Sequence, residues 1–132
     1  MLDDIVKASV NIRLDKAREC LHDAERNLAD EAYANSANRS YYCIFHAMRS
    51  VLITVGVEFK KHSGNISEFR RCFIKTGIFP AEFSDIIGSA FEIRNDSDYE
   101  DFYVVSKEDV KQQTENAKKF LTAVEDYIKT LM

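Results

Sequence analysis

The sequence predicts an all-α protein, an up-and-down antiparallel bundle of four to five helices. The chain has 132 residues, of which 45% are apolar and 30% charged, with four Gly and one Pro. This composition can bury a core but supplies few of the turn residues that a many-stranded sheet needs. Apolar residues recur at alternating steps of three and four, which is typical of amphipathic helices. Because the length is that of one domain, residues 1–132 are predicted to form a single unit.

The first two helices are predicted over residues 3–30 and from about 33 to 55. Asp3 or Asp4 is expected to cap the first, because a carboxylate there accepts the free backbone N–H groups of the first turn. Gly56 ends the second. The apolar stripes that define them are Val10, Leu14, Ala17, Leu21, Ala24 and Leu28, and then Tyr33, Ala37, Tyr41, Ile44, Met48, Val51 and Val55.

Two shorter helices are predicted in the middle of the chain. Ser63 is expected to cap the third, which carries Ile66, Phe69, Arg70 and Phe73 and stops at Gly77. Pro80 suits the first turn of the fourth, because its missing N–H has no partner to lose there. The apolar stripe of this fourth helix consists of Phe83, Ile86, Ile87 and Ala90.

The last helix is predicted to open at Ser106, where residues 106–109 resemble a capping box with Asp109 in place of the usual Glu. The acidic and aromatic segment 100–105 before it is predicted as a short extended segment or a turn. Short connections between helices force neighbouring helices to run antiparallel, which gives the bundle.

Charge and cysteine content exclude several classes of protein. Lys and Arg number 18 against 22 Asp and Glu, a formal net charge of -4, so nucleic acid can be bound only by a local patch. No segment is long and apolar enough for a membrane span, and the N-terminus is unlike a signal peptide, so a cytoplasmic protein is expected. Cys20, Cys43 and Cys72 lie in amphipathic patterns without metal-binding spacing, which predicts reduced core thiols, no metal site and no cofactor.

Arg94 is the most informative side chain, because it continues the apolar stripe of the fourth helix. A guanidinium at an inward position needs a partner, and Asp98 at i+4 and Tyr99 at the end of the turn can supply one. A local ion pair that closes the helix end is the simpler interpretation. A functional site centred on Arg94 is the alternative.

A second group of polar residues follows one side of the second helix. Arg39, Tyr42, His46 and Arg49 fall together beside its apolar stripe, with Asn35 at its start. They are interpreted either as a solvated helix face or as binding residues with His46 as a catalyst. Residues 60–62, which include Lys61 and His62, are interpreted as a solvated basic loop or as a phosphate-binding segment.

Together these segments resemble the HEPN family, the higher-eukaryote and prokaryote nucleotide-binding domains. The sequence ANRSYYCIFHAMR over residues 37–49 is similar to the second-helix signature of the family. Residues 61–64 with Phe69 resemble the segment that leads into and through its third helix. RNDSDY over residues 94–99 resembles the Arg…Asp-Tyr ending of an uncharacterised prokaryotic branch, related to the HEPN partners of minimal nucleotidyltransferases. The matches cover essentially the whole chain.

The resemblance implies a helical homodimer with the polar motif of the family near the dimer cleft. Many members are metal-independent endoribonucleases with an Arg-x4-6-His motif, and many act as the toxin beside a minimal nucleotidyltransferase antitoxin. Arg94 matches the motif Arg, and Asn95 and Asp98 beside it become candidate binding residues. The motif His is absent, because Tyr99, Glu100 and Asp101 occupy its positions. Loss of a general acid or base typically costs about 10²–10⁴-fold in rate.

Two roles remain open for residues near this motif. His46 or His62 could replace the missing His if the fold brings it to Arg94. Tyr99 is a candidate catalytic residue, or the acceptor of an AMP group transferred by the nucleotidyltransferase.

Three functional hypotheses follow. The first is the ribonuclease toxin of a nucleotidyltransferase pair, with Arg94 at the centre and Arg39, His46 and Lys61 lining a groove. The second is a non-catalytic HEPN dimer that binds RNA or a nucleotide or docks a partner. The third is a structural helical dimer, which predicts that the polar residues of the second helix face solvent, away from Arg94.

Overall fold

The structure, a computed structural model, describes residues 2–99 and 105–132, with the side chains of 97–99 left outside the description. It confirms the predicted all-α bundle. The described chain forms five α-helices and one π-helical turn: α1 (Asp4–Ala29), α2 (Tyr33–Ile53), α3 (His62–Phe69), the π-helical turn (Arg70–Ile74), α4 (Glu82–Tyr99) and α5 (Lys107–Leu131). The acidic segment at 100–104 lies outside the described residues.

Helices α1 and α2 form a long hairpin whose ends agree with the sequence prediction. Asp3 caps α1, because its carboxylate accepts the backbone N–H of Val6 at 2.9 Å. The hairpin turns at Glu31, which has a φ of 62°. Gly56, with a φ of 75°, follows the end of α2 in the left-handed conformation that glycine adopts without strain. Ser36 ties the two helices together by donating to the carbonyl of Ala24 at 2.7 Å.

Helix α2 lies at the centre of the bundle and packs against α1, α3, α4 and α5. The buried residues of α2 therefore cover more of its surface than one apolar stripe, and they include small polar side chains. Ser40 and Ser50 are fully buried, and Ser50 donates to the carbonyl of Ala47 at 2.6 Å. Close packing on most of the circumference of α2 therefore restricts the orientations of its buried side chains.

An aromatic cluster joins the middle of the chain to α5. The rings of Phe83 and Phe120 stack with centroids 5.0 Å apart, and Phe69 lies 5.6 Å from Phe120. Phe73 and Phe79 extend the cluster, and all five side chains are buried. This cluster holds the π-helical turn and the start of α4 against the last helix.

The predicted starts of the third and fourth helices are wrong, and that of the last helix is confirmed. Ser63 is not the cap of α3, because Lys61 holds the cap position without a side-chain hydrogen bond and His62 is already helical. Pro80 lies two residues before α4, where its carbonyl accepts the N–H of Phe83. Ser106 caps α5 as predicted and accepts the N–H of Asp109 at 3.1 Å.

The described helices include none that is long and apolar enough to cross a membrane. Cys20 and Cys43 are buried, Cys72 is half-buried, and all three are free thiols. Burial raises the pKa of the Cys20 and Cys43 thiols, so both stay protonated at neutral pH.

Candidate functional site

Arg94 extends from α4 onto two tyrosines of α2. Its Nη2 donates to the hydroxyl of Tyr42 at 3.2 Å, and its guanidinium carbon lies 5.5 Å from the ring centroids of both Tyr41 and Tyr42. Nη1 donates to the side-chain oxygen of Asn95 at 3.2 Å. Arg94 is half-buried, as its position in the stripe of α4 predicts. Two aromatic rings of α2 thus contact the Arg94 guanidinium, and such rings attract a cation.

His62, the first residue of α3, also contacts Tyr41. The Tyr41 hydroxyl and His62 Nδ1 share a hydrogen bond of 2.8 Å. The imidazole stacks on Phe45, with ring centroids 4.0 Å apart. Burial lowers the pKa of His62, and the positive charges of Arg94 and Arg49 lower it further. His62 is therefore neutral at pH 7 and retains one unprotonated ring nitrogen.

Tyr41 belongs to the core and to this site at once. Its side chain is 1% exposed, and burial raises its pKa, so the hydroxyl remains protonated. The ring contacts Phe91 of α4 at a centroid distance of 5.9 Å. The position of His62 is therefore fixed by a side chain that cannot move without disturbing the core.

His46 lies on α2 one turn beyond Tyr42, with ring centroids 6.1 Å apart. Burial lowers its pKa to about 4, assisted by the positive charges of Arg13, Lys16, Arg49 and Arg39. Its Nδ1 is buried and has no hydrogen-bond partner among the residues that the structure describes. The positive charge of Arg94 is among the causes that lower the pKa of His62, so these two side chains share an electrostatic environment.

Basic side chains of α1 and α2 border the site. Arg39 lies over the Tyr42 ring at 5.3 Å, and Arg49 lies over the Phe45 ring at 5.8 Å. Glu58 in the loop after α2 binds Arg49 at 2.7 Å and Arg13 of α1 at 3.6 Å. We call Arg13, Lys16, Arg39 and Arg49 the basic strip. It is the local patch that a chain with a net charge of -4 needs in order to bind an anion.

The structure brings together most of the residues that the sequence singled out. Arg94, Asn95, Tyr42 and His62 form one connected group, with Arg39, Arg49 and His46 beside it. This arrangement contradicts the expectation of the structural-dimer hypothesis, because Tyr42 contacts Arg94. Lys61 is exposed at the cap position of α3, and Asn35 is exposed on α2. The side chains of Asp98 and Tyr99 lie outside the described residues, so their pairing with Arg94 stays a prediction.

Among the residues of the site that the sequence did not indicate are Tyr41, Arg13 and Lys16. Tyr41 was assigned to the apolar stripe, where its hydroxyl gives no separate signal. Arg13 was not considered, although it follows the charged face of α1. Within residues 2–99 and 105–132, no three His, Cys, Asp or Glu side chains are grouped so that they could hold a metal ion. The ionisable groups that contact Tyr41 include the Arg94 guanidinium and the His62 imidazole.

Comparison with known proteins agrees with this fold. The chain is 37% identical over 116 residues to a UPF0332 protein of Thermotoga maritima, with 88% of each chain covered. It is 29% identical to a Methanocaldococcus jannaschii protein named "Putative toxin MJ0142", covering 87% of this chain and 78% of that protein. The crystal structure of TT1696 from Thermus thermophilus superposes with a TM-score of 0.75 at 17% identity, covering 89% of this chain and 96% of that one. The family model for the HEPN domain matches residues 10–127, and the chain therefore belongs to the HEPN family.

Proposed function

We propose that this HEPN protein is a metal-independent endoribonuclease toxin in which Arg94 and His62 act on the RNA backbone. The observation that carries the proposal is the placement of both side chains on Tyr41, the guanidinium over its ring and the imidazole on its hydroxyl. The name of the Methanocaldococcus jannaschii relative, which includes the word toxin, supports the same role.

The proposed reaction divides between the two side chains. Neutral His62 takes the proton of a ribose 2′-OH, and the resulting oxygen attacks the adjacent phosphorus. The bond from phosphorus to the 5′-oxygen breaks, and that oxygen takes a proton from water. The hydroxide that remains accepts the proton held by His62, which restores the neutral imidazole. The products are a 2′,3′-cyclic phosphate and a 5′-hydroxyl end. Arg94 stabilises the additional negative charge on the phosphate oxygens during this step.

His62 compensates in this proposal for the histidine that the family motif carries after the Arg and that this chain lacks. It approaches from a different helix but meets the requirements of a general base. Its pKa is lowered, so the unprotonated form predominates at pH 7, and its ring is oriented by a hydrogen bond to Tyr41. His46 then belongs to the binding surface together with the basic strip, where phosphates on either side of the cleavage site can lie.

The proposal extends to partners. We propose two partners. One is a second copy of the chain, which would form a homodimer like those of the HEPN family, and the other is a minimal nucleotidyltransferase antitoxin. Tyr99 follows Arg94 by five residues and remains the proposed acceptor of AMP. A non-catalytic HEPN dimer that binds RNA or a nucleotide, or docks a partner, is the second candidate function, favoured by the absence of a histidine at positions 99–101.

Incubation of the purified chain with total RNA and with tRNA in EDTA tests the proposal. We expect cleavage with cyclic-phosphate ends, and a loss of at least ~100-fold in Arg94→Ala and in His62→Ala. Arg71→Ala is the matched control, because Arg71 is exposed and paired with Glu68. Cleavage that survives in Arg94→Ala contradicts the role of Arg94. No cleavage by the wild type, with RNA binding retained, supports the non-catalytic dimer instead.

A further inference from the structure

A cavity of about 300 Å³ opens between α3 and α4, beside the Arg94 site but separate from it. Ile66 and Ile87 form apolar walls, and Phe91 adds an aromatic ring. Ser63 and Ser67, both exposed on α3, also line the cavity. Its size is at the lower end for a ligand pocket, which suits one planar ring system.

Arg70 is the charged residue that lines this cavity. Its Nη2 donates to the carbonyl of Ser84 at 3.1 Å, which anchors the guanidinium between the two helices. Nε is buried without a hydrogen-bond partner among residues 2–99 and 105–132. A guanidinium has five N–H donors, so this side chain is under-supplied with acceptors. An acceptor-rich ligand in the cavity can meet the guanidinium donors that the Ser84 carbonyl does not occupy and that line the cavity.

Two features of the backbone lie next to the Arg70 side chain, the π-helical turn and Gly88 of α4. Arg70 is the first residue of the π-helical turn, a conformation that is rare and occurs frequently at functional sites. On the facing helix stands Gly88, where an added Cβ would lie 3.3 Å from Arg70 Nη2. The absence of a side chain at Gly88 therefore lets the guanidinium approach α4 closely.

The cavity adjoins the Arg94 site through two residues. Ser63 directly follows His62 in the chain, and the Phe91 ring contacts Tyr41 at 5.9 Å between centroids. The two sites are thus adjacent, as one nucleotide with its phosphate at Arg94 and its base in the cavity requires. Guanine is the base that presents two neighbouring acceptors, O6 and N7, to which an arginine can donate.

We propose that this cavity is a guanine-binding pocket that selects the nucleotide next to the cleaved phosphate, with Arg70 as the specificity-determining residue. The proposal deepens the ribonuclease function and rests on it for its biological use. The apolar walls and the Phe91 ring contact the faces and edges of the base, and the remaining donors of Arg70 bind O6 and N7.

Calorimetric titration with the four nucleoside 5′-monophosphates tests the pocket, because these ligands differ only in the base. We expect the wild type to bind GMP about 10–100-fold more tightly than the other three. Arg70→Gln should remove this preference, since glutamine has no guanidinium fork. Arg71→Gln, the same change at the neighbouring exposed arginine, should retain it. Equal binding of all four nucleotides by the wild type would overturn the proposal.

A second variant keeps the test decisive if the Arg70 substitution disturbs folding. Ser67 is exposed, and Ser67→Leu places an apolar side chain in the cavity without removing a core contact. We expect it to weaken GMP binding at least ~10-fold with an unchanged melting temperature. Unchanged GMP binding in this variant would show that the base lies elsewhere.

Mapping of the RNA cleavage sites separates this proposal from the proposed function. Cleavage next to guanosines by the wild type, and without base preference by Arg70→Gln, supports both. Arg94-dependent cleavage with no base preference in the wild type refutes the pocket and leaves the ribonuclease intact. Arg70-dependent GMP binding without any RNA cleavage refutes the ribonuclease and retains the pocket.

Discussion

Acidification is expected to destabilise the protein through His46. The pKa of this imidazole is lowered to about 4 in the folded chain by burial and by the basic strip, while an unfolded histidine titrates near 6.5. Between these two values the unfolded chain binds a proton that the folded chain does not. The free energy of unfolding therefore falls as the pH drops below about 6.5, and the contribution is complete above that value.

The size of this effect follows from the gap between the two pKa values. At pH 5 it amounts to at most ~2 kcal/mol, because each pH unit below 6.5 contributes about 1.4 kcal/mol. His46 is only half-buried, so solvent screening reduces the expected loss to about 1 kcal/mol. This is a measurable fraction of the ~5–15 kcal/mol that holds a typical domain together.

Urea denaturation followed by far-UV circular dichroism at pH 7.5 and at pH 5 measures the effect. His46→Gln cannot be protonated, so its free energy of unfolding should fall about 1 kcal/mol less than that of the wild type. His22→Gln, which removes an exposed imidazole of α1, is the matched control for the substitution itself. Equal losses in wild type and His46→Gln would refute the reasoning.

Further predictions concern the fold and the His62 contact. Phe120→Ala removes a fully buried ring and should cost about 3–5 kcal/mol in a urea titration; a cost below ~1 kcal/mol would contradict its place in the core. Gly77→Ala meets no atom within 4 Å but forces a φ of 84° on alanine, so a loss of about 1–2 kcal/mol is expected by the same measurement. Ser106→Ala should lose ~1 kcal/mol, and Ser106→Asp should restore it. Tyr41→Phe should lower RNA cleavage more than stability, since it deletes the hydroxyl that binds His62 and keeps the ring; equal activity would rule out a positioning role for the hydroxyl.

The course of the helices could be predicted because their signals are local. Asp3 and Ser106 are caps whose side chains act within three residues, and Gly56 marks the end of α2 by its own backbone preference. The prediction that Ser63 caps α3 is wrong because the local signal there is ambiguous. Several polar residues precede α3, and the sequence does not reveal which of them is the last non-helical one.

The site could be predicted only in part, because its contacts join distant segments. The register of α4 placed Arg94 correctly against its neighbours. The hydrogen bond between Tyr41 and His62 spans 21 residues, and no spacing rule connects them. Arg70 was counted within the third helix, but the π-helical turn that begins there depends on packing and left no pattern in the sequence.

Tyr41 is part of both the core and the site, and this has a thermodynamic consequence. Because one side chain supports both the core and His62, unfolding of the bundle also removes the site. Occupancy of the site and global unfolding are therefore coupled equilibria, and a ligand that binds only the folded site stabilises the whole chain. At a hundredfold excess over its dissociation constant such a ligand adds about 2.7 kcal/mol. A rise in melting temperature can thus identify candidate RNAs and nucleotides before any activity has been measured.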